Sequence, residues 1–209
     1  MADTTNTHRY FDDVAPGYDA LYEDPLSHAE NLIVAQEVAA LISTARYNVD
    51  SVLDIGCGTG LMLDMSQHFG CIDANYIGVD FSKEMLARFQ KKYAARPRTK
   101  IFQGDMNTFD FQALGNQFDL ALSTFGSFSY AQDPIKFFSE INSVLREGNG
   151  HLLVMAYSRF SVRNVLSRFQ RQDAQYTDER RPYAYRNDGD GSLADGPHAY
   201  FHTVHSLTE

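Results

Sequence analysis

Gly56, Gly58 and Gly60 stand at alternate positions directly after an apolar run over residues 51–55. Glycine lets the chain bend sharply and lets a ligand lie against bare main chain. Leu61, Met62, Leu63, Met65 and Phe69 then supply a helix, stopped by Gly70. The first turn of that helix offers unpaired N–H groups to a ligand's polar or anionic end. Two carboxylates flank the turn. Asp80 follows Gly60 by about 20 residues, the interval at which an acid accepts hydrogen bonds from ribose hydroxyls. Asp54 lies two places before the first glycine. A pyrophosphate site wants G-x-G-x-x-G or G-x-G-x-x-A. Here Leu61 stands where the last small residue should be, and Asp54 would repel a pyrophosphate but favour an amino-acid ammonium. Nicotinamide enzymes also place an acid at the Asp80 position, so Asp80 by itself indicates adenosine and no more.

Asp54-Ile55-Gly56-Cys57-Gly58-Thr59-Gly60 resembles the first motif of class I S-adenosylmethionine-dependent methyltransferases. The resemblance runs from about Tyr10 to Ala156. It implies cofactor contacts from Asp54, Gly56, Cys57, Gly58 and Gly60. It implies a ribose contact from Asp80, with Phe81 and Met85 flanking the adenine. Asp105 would take the adenine amino group, the Met106 N–H a ring nitrogen, and Ser123 would close the cofactor site. The stretch Phe11 to Asp19 matches F-D-x-x-A-x-x-Y-D of the lid-forming N-terminal helices in small-molecule members. There Tyr18 either covers the cofactor, excluding water and facing the sulfonium with its ring, or packs under a surface helix.

Elements able to position these residues alternate along the chain. Strands are expected at 51–55, 75–79, 100–103, 117–123 and 150–156. A helix from Ser27, with a Ser27/Glu30 capping box, puts Val34, Val38, Leu41 and Ile42 on one face. Ser82 caps a second, with Met85, Leu86, Phe89 and Tyr93 inside. Asp133-Pro134 opens a third, with Ile135, Phe138, Ile141 and Leu145 inside and Gly148 at its end. Residues 1–9 read as a disordered start. Such alternation predicts an α/β fold: a doubly wound, mainly parallel sheet of the class I methyltransferase, Rossmann-like type. The last two strands of that type are not evident. The chain therefore reads as one domain: a lid segment (1–45), a cofactor core (46–156) and a substrate-side tail (157–209). Either the native chain continues beyond Glu209, or the fifth strand's edge is covered by the tail or by a second copy in a homo-oligomer.

Phe125, Phe128 and Tyr130, after the fourth strand, suggest an aromatic acceptor pocket or simply core. The segment lacks an N-P-P-Y-like motif. Together with a net charge of −9, this argues against nucleic acid and anionic membrane as partners. The polar N-terminus, the absence of a long apolar run, and only two cysteines (Cys57 and Cys71) fit a cytoplasmic protein with reduced thiols. Beyond Tyr157 the chain is arginine-rich, with a helix expected at 161–170 and a polar loop at 188–196. His198, His202 and His205 match no zinc spacing, so no metal is expected. Tyr130 and His202, then Tyr157 and His28, are the candidates for a catalytic base. The resemblance implies methyl transfer from S-adenosylmethionine to an O, N, S or C nucleophile of a small molecule, as in secondary metabolism, leaving S-adenosylhomocysteine. A noncatalytic cofactor-binding member is the alternative. A nicotinamide oxidoreductase is disfavoured by Leu61 and Asp54.

Overall fold

The computed structural model describes residues 5–44, 49–68, 73–115, 117–157, 185–187, 193–195 and 199. Five strands form one parallel sheet: β1 (Ser51–Ile55), β2 (Asn75–Asp80), β3 (Thr99–Gln103), β4 (Leu120–Ser123) and β5 (His151–Val154). Their order is β3-β2-β1-β4-β5. The chain winds one way from β1 to β3 and the other way through β4 and β5. The crevice at the carboxyl ends of β1 and β4 is therefore a topological switch point, where sheets of this kind bind ligands. Register brings the tips together: Ile55 pairs with Val79, Asp80 with Gln103, and Ser123 with Val154.

Alternation along the strands separates two cores. Val52, Tyr76, Leu120 and Leu122 face one way. They pack under α2 (Pro25–Thr44), α3 (Leu61–His68) and α4 (Lys83–Tyr93). Leu53, Ile55, Ile77, Val79 and Ala121 face the other way, with Phe111, Phe128 and α5 (Pro134–Val144). Ser82 caps α4 by accepting from Met85 N, and Asp133 caps α5 by accepting from Lys136 N.

Several expectations need correction. Of the start read as disordered, residues 5–9 are helical and belong to α1 (Thr5–Val14), whose Phe11 and Asp12 dock on the strand tips. The cap of α2 is Asp24, which accepts from Leu26 N and Ser27 N, with Pro25 opening the helix; Ser27 is not its cap. The inner stripe of α5 is Phe137, Ile141 and Val144, while Ile135 is 79% exposed. That helix ends at Val144, short of Gly148. The fourth strand begins at Leu120; Phe118 makes only an isolated bridge to Leu145. Within the stretch read as loop, β7 (Leu193–Asp195) pairs antiparallel with β6 (Tyr185–Asn187). Phe69, Gly70, Cys71 and the 161–170 helix lie outside the described residues.

Candidate functional site

The glycine turn is pinned to β2 by Gly56 N and Cys57 N, which both donate to Val79 O (2.7 and 3.2 Å). All three glycines have positive φ. Their bare faces serve different ends. A Cβ on Gly56 would lie 2.6 Å from Ser127 Cβ, and one on Gly60 would lie 2.5 Å from the Tyr93 ring. Those two glycines permit packing. A Cβ on Gly58 would meet only the Tyr18 ring, at 3.9 Å. Its bare face therefore opens on a space that Tyr18 closes.

Asp80 fixes the next corner. Its Oδ2 accepts from Gly58 N and its Oδ1 from Ser82 N, both at 2.8 Å. Only 7% of it is exposed. Burial pushes its carboxyl up to about 6, against the pull of those two N–H groups, and Asp12 adds to the rise. Asp54 lies buried behind the turn and accepts from the Tyr76 hydroxyl; burial pushes it up to about 7. Cys57 is buried, and burial raises its thiol well above the usual range, so it remains a thiol. Met85 and Met106 are buried beside the tips of β2 and β3. Ser123 Oγ, at the tip of β4, is buried with no hydrogen-bond partner among the described residues.

Asp105 follows β3. Its Oδ1 accepts from Asn107 N and Nδ2 (2.9 and 2.8 Å), while its Oδ2 faces His8 Nε2 at 3.5 Å. The His8 ring is stacked on Phe81, with centroids 4.4 Å apart and planes at 13°. Asn107 also donates to Tyr130 O and accepts from Gln132 N, which ties the β3 and β4 loops together.

Over the crevice stands a wall of half-buried aromatic rings. The Tyr18 hydroxyl lies 3.1 Å from that of Tyr22, and Tyr22 meets Phe125 edge-on at 5.5 Å. Phe125 has φ +54, an uncommon backbone for a bulky residue and one that gathers at functional sites. Tyr130 lies between Phe11 (5.4 Å) and Tyr157 (6.3 Å). Tyr157 rests on Gly126, and its N–H donates to Ser129 Oγ. Phe128, by contrast, is fully buried against Phe137 and Phe138, so it is core. His28 is exposed on α2, and His198, His202, His205 and the arginines from Arg159 to Arg181 lie outside the described residues.

Four participants were not expected: His8, Asp12, Asp19 and Asn107. Asp12 accepts from Ser82 Oγ at 2.5 Å and docks α1. Asp19 accepts from Thr59 Oγ1 and Lys92 Nζ, fastening the Tyr18 segment to the glycine turn. The Y-D pair within the F-D-x-x-A-x-x-Y-D match was the signal available for Asp19. Isolated polar residues in a helix carry no such signal for His8.

A parallel sheet of this order, with a glycine turn after β1 and an acid closing β2, is the Rossmann-like arrangement that class I methyltransferases share with nicotinamide enzymes. The comparisons are consistent with the class I S-adenosylmethionine-dependent methyltransferase family. Residues 52–148 match the family model described as a methyltransferase domain. The chain is 32% identical over 96 residues to dTDP-3-amino-3,4,6-trideoxy-alpha-D-glucopyranose N,N-dimethyltransferase of Streptomyces venezuelae, a match covering 46% of this chain and 37% of that protein. It is 32% identical over 127 residues to phosphatidylethanolamine N-methyltransferase of Cereibacter sphaeroides, covering 57% of this chain and 59% of that one. This chain thus spans from about a third to three-fifths of those relatives' lengths. Among solved structures, the DhpI–SAH complex superposes with a TM-score of 0.64 at 18% identity, covering 98% of this chain and 83% of that one, a likeness of fold. Streptomyces venezuelae DesVI gives a TM-score of 0.50 at 27% identity, covering 69% and 57%.

Proposed function

We propose that this protein transfers the methyl group of S-adenosylmethionine to a small-molecule acceptor and releases S-adenosylhomocysteine. The observation that carries this reading is the joint at Gly58 and Asp80. A buried carboxylate and a bare main-chain face meet beneath Tyr18, at the switch point of the sheet. S-adenosylmethionine supplies the electrophilic methyl group when bound. Asp80 would hold its ribose, the turn from Gly56 to Gly60 its amino-acid end, and Asp54 would set the charge behind that turn. Ser123 Oγ has hydrogen-bonding capacity to spare at the same crevice. Tyr18 would exclude water, held in place through Asp19 and Thr59. Aligning donor and acceptor in this way can be worth about 7–11 kcal/mol.

An amine is the acceptor this wall suits best. Two relatives are N-methyltransferases by name. Tyrosine faces attract ammonium and sulfonium cations. Burial pushes the Tyr18 and Tyr130 hydroxyls well above their usual range and Tyr22 up to about 12, so these phenols stay neutral. Tyr130 would therefore orient the acceptor rather than take its proton. An amine needs only to shed a proton to solvent before it attacks. No helix among the described residues is long and apolar enough to cross a membrane, and a cytoplasmic location is part of the proposal. So is a cover for β5, one of the two edge strands of the sheet, from residues after 157 or from a second copy. Light scattering would measure the oligomer. Labelled S-adenosylmethionine incubated with small amines and with matched alcohols tests the reaction. Label transfer to amines is expected. Tight cofactor binding without transfer to any acceptor would favour the noncatalytic alternative.

A further inference from the structure

His8 lies outside every motif in the sequence, yet its two contacts have a common meaning. A purine is held by two things: an aromatic face to stack on, and an acceptor for its exocyclic amino group. Next to Asp80, the tip of β2 offers the Phe81 ring and the tip of β3 offers the Asp105 carboxylate. The imidazole of His8 takes both. It stacks on Phe81 at 4.4 Å with planes 13° apart, and its Nε2 faces Asp105 Oδ2 at 3.5 Å. Little else is left for a ligand there. Asp105 Oδ1 already accepts from Asn107 N and Nδ2, and Phe11 meets Phe81 edge-on at 5.5 Å.

We infer that His8 is an internal stand-in for adenine, and that the cofactor binds by displacing its side chain from Phe81 and Asp105. The inference rests on the cofactor reading above. The displacement is local. The His8 side chain is 40% exposed, so it can swing out into water. The helix that carries it is held independently, by Asp12 accepting from Ser82 Oγ at 2.5 Å and from Glu84 N at 3.4 Å, and by Phe11 against Tyr130 at 5.4 Å. His8 therefore sets cofactor affinity without making a cofactor contact. A ligand competing with an internal occupant binds more weakly by the fraction of molecules whose site is open.

Two measurements test this. The first is calorimetric titration of S-adenosylhomocysteine into wild type and His8→Ala. The substitution should lower Kd by roughly threefold to tenfold, since it removes the competitor. An unchanged or raised Kd, with binding to wild type intact, overturns the inference and leaves the cofactor reading standing. No binding to either protein overturns both. The second needs no variant: diethylpyrocarbonate modification of wild type, mapped by mass spectrometry. Saturating S-adenosylhomocysteine should increase modification of His8, because the ring is released. Protection or no change would show that His8 stays put or folds over the bound ligand, and would overturn the inference.

Discussion

Asp119 and Asp80 lie at opposite ends of one sheet, both buried, and their surroundings differ completely. Asp119 is 1% exposed at the start of β4. It accepts from Asp50 N, Ser51 N, Ser51 Oγ and Arg146 Nε, tying β1 to the turn before β5. Burial works against its charge, but Arg146 and these donors hold its carboxyl below the usual range. Asp80 closes β2 with two main-chain N–H groups, and burial pushes it up to about 6. One end of the sheet satisfies its acid completely. The other keeps an acid with capacity to spare. The lesson is that burial alone does not mark a structural carboxylate; what matters is whether its charge is answered from within the fold.

Substitutions at the two ends should separate accordingly. Gly58→Val should produce the largest change, with S-adenosylhomocysteine affinity falling more than about 100-fold, near 3 kcal/mol. The new side chain would fill the space between the turn and Tyr18. The fold should survive at the cost of about 1–2 kcal/mol for a left-handed residue. Titration and thermal melting together read the split, and a variant that binds normally would place the ligand elsewhere. Asp119→Ala should do the reverse. Removing a buried acid that serves several donors should cost about 3 kcal/mol of stability. Chemical denaturation measures it, with cofactor affinity unchanged wherever the protein remains folded.

Asp80→Asn should weaken S-adenosylhomocysteine by about 1.5–3 kcal/mol, the strength of a hydrogen bond to a charged group. At pH 8 the unliganded variant should lose less stability than Asp119→Ala, because relief of a buried charge offsets the one main-chain N–H left without its acceptor. A loss as large as that of Asp119→Ala would make Asp80 a structural acid. A further effect is a pH dependence. Asp80 and Asp54 are raised in the folded protein to about 6 and about 7, above their values in the unfolded chain. The native state therefore binds more protons than the unfolded state between about pH 4 and 7. Their contribution is fully present below about pH 4 and is lost as pH rises through 6 and 7. Melting of the ligand-free protein at pH 5 and pH 8 should show this loss, and Asp54→Asn should reduce it.

The same contrast explains what was legible in the sequence. The glycine turn leaves a mark, since Gly56, Gly58 and Gly60 all take a positive φ that favours glycine, and strand periodicity then places Asp80, Asp105 and Ser123 at successive tips. The aromatic wall left a weaker mark. Its rings come from three separate stretches, 18–22, 125–130 and 157, and no local pattern distinguishes Phe128, which is core, from Phe125 and Tyr130, which are not. In α5 the stripe was misjudged by choosing Ile135; Phe137, Ile141 and Val144 fit the period equally well, and only packing decides between them. The α2 cap was readable, because Asp24-Pro25 is a stronger start than Ser27. Helix α1 was hidden because its docking face is polar and aromatic, carried by Asp12, His8 and Phe11, rather than an aliphatic stripe.

The most direct test of the central claim is a pair of calorimetric titrations on the wild-type protein, one with S-adenosylhomocysteine and one with NADH. The site at Gly58 and Asp80 should bind S-adenosylhomocysteine with one-to-one stoichiometry and a micromolar Kd, near −8 kcal/mol, and give no heat with NADH. Folded protein that gives no heat with millimolar S-adenosylhomocysteine, or that binds NADH more tightly, would contradict the account.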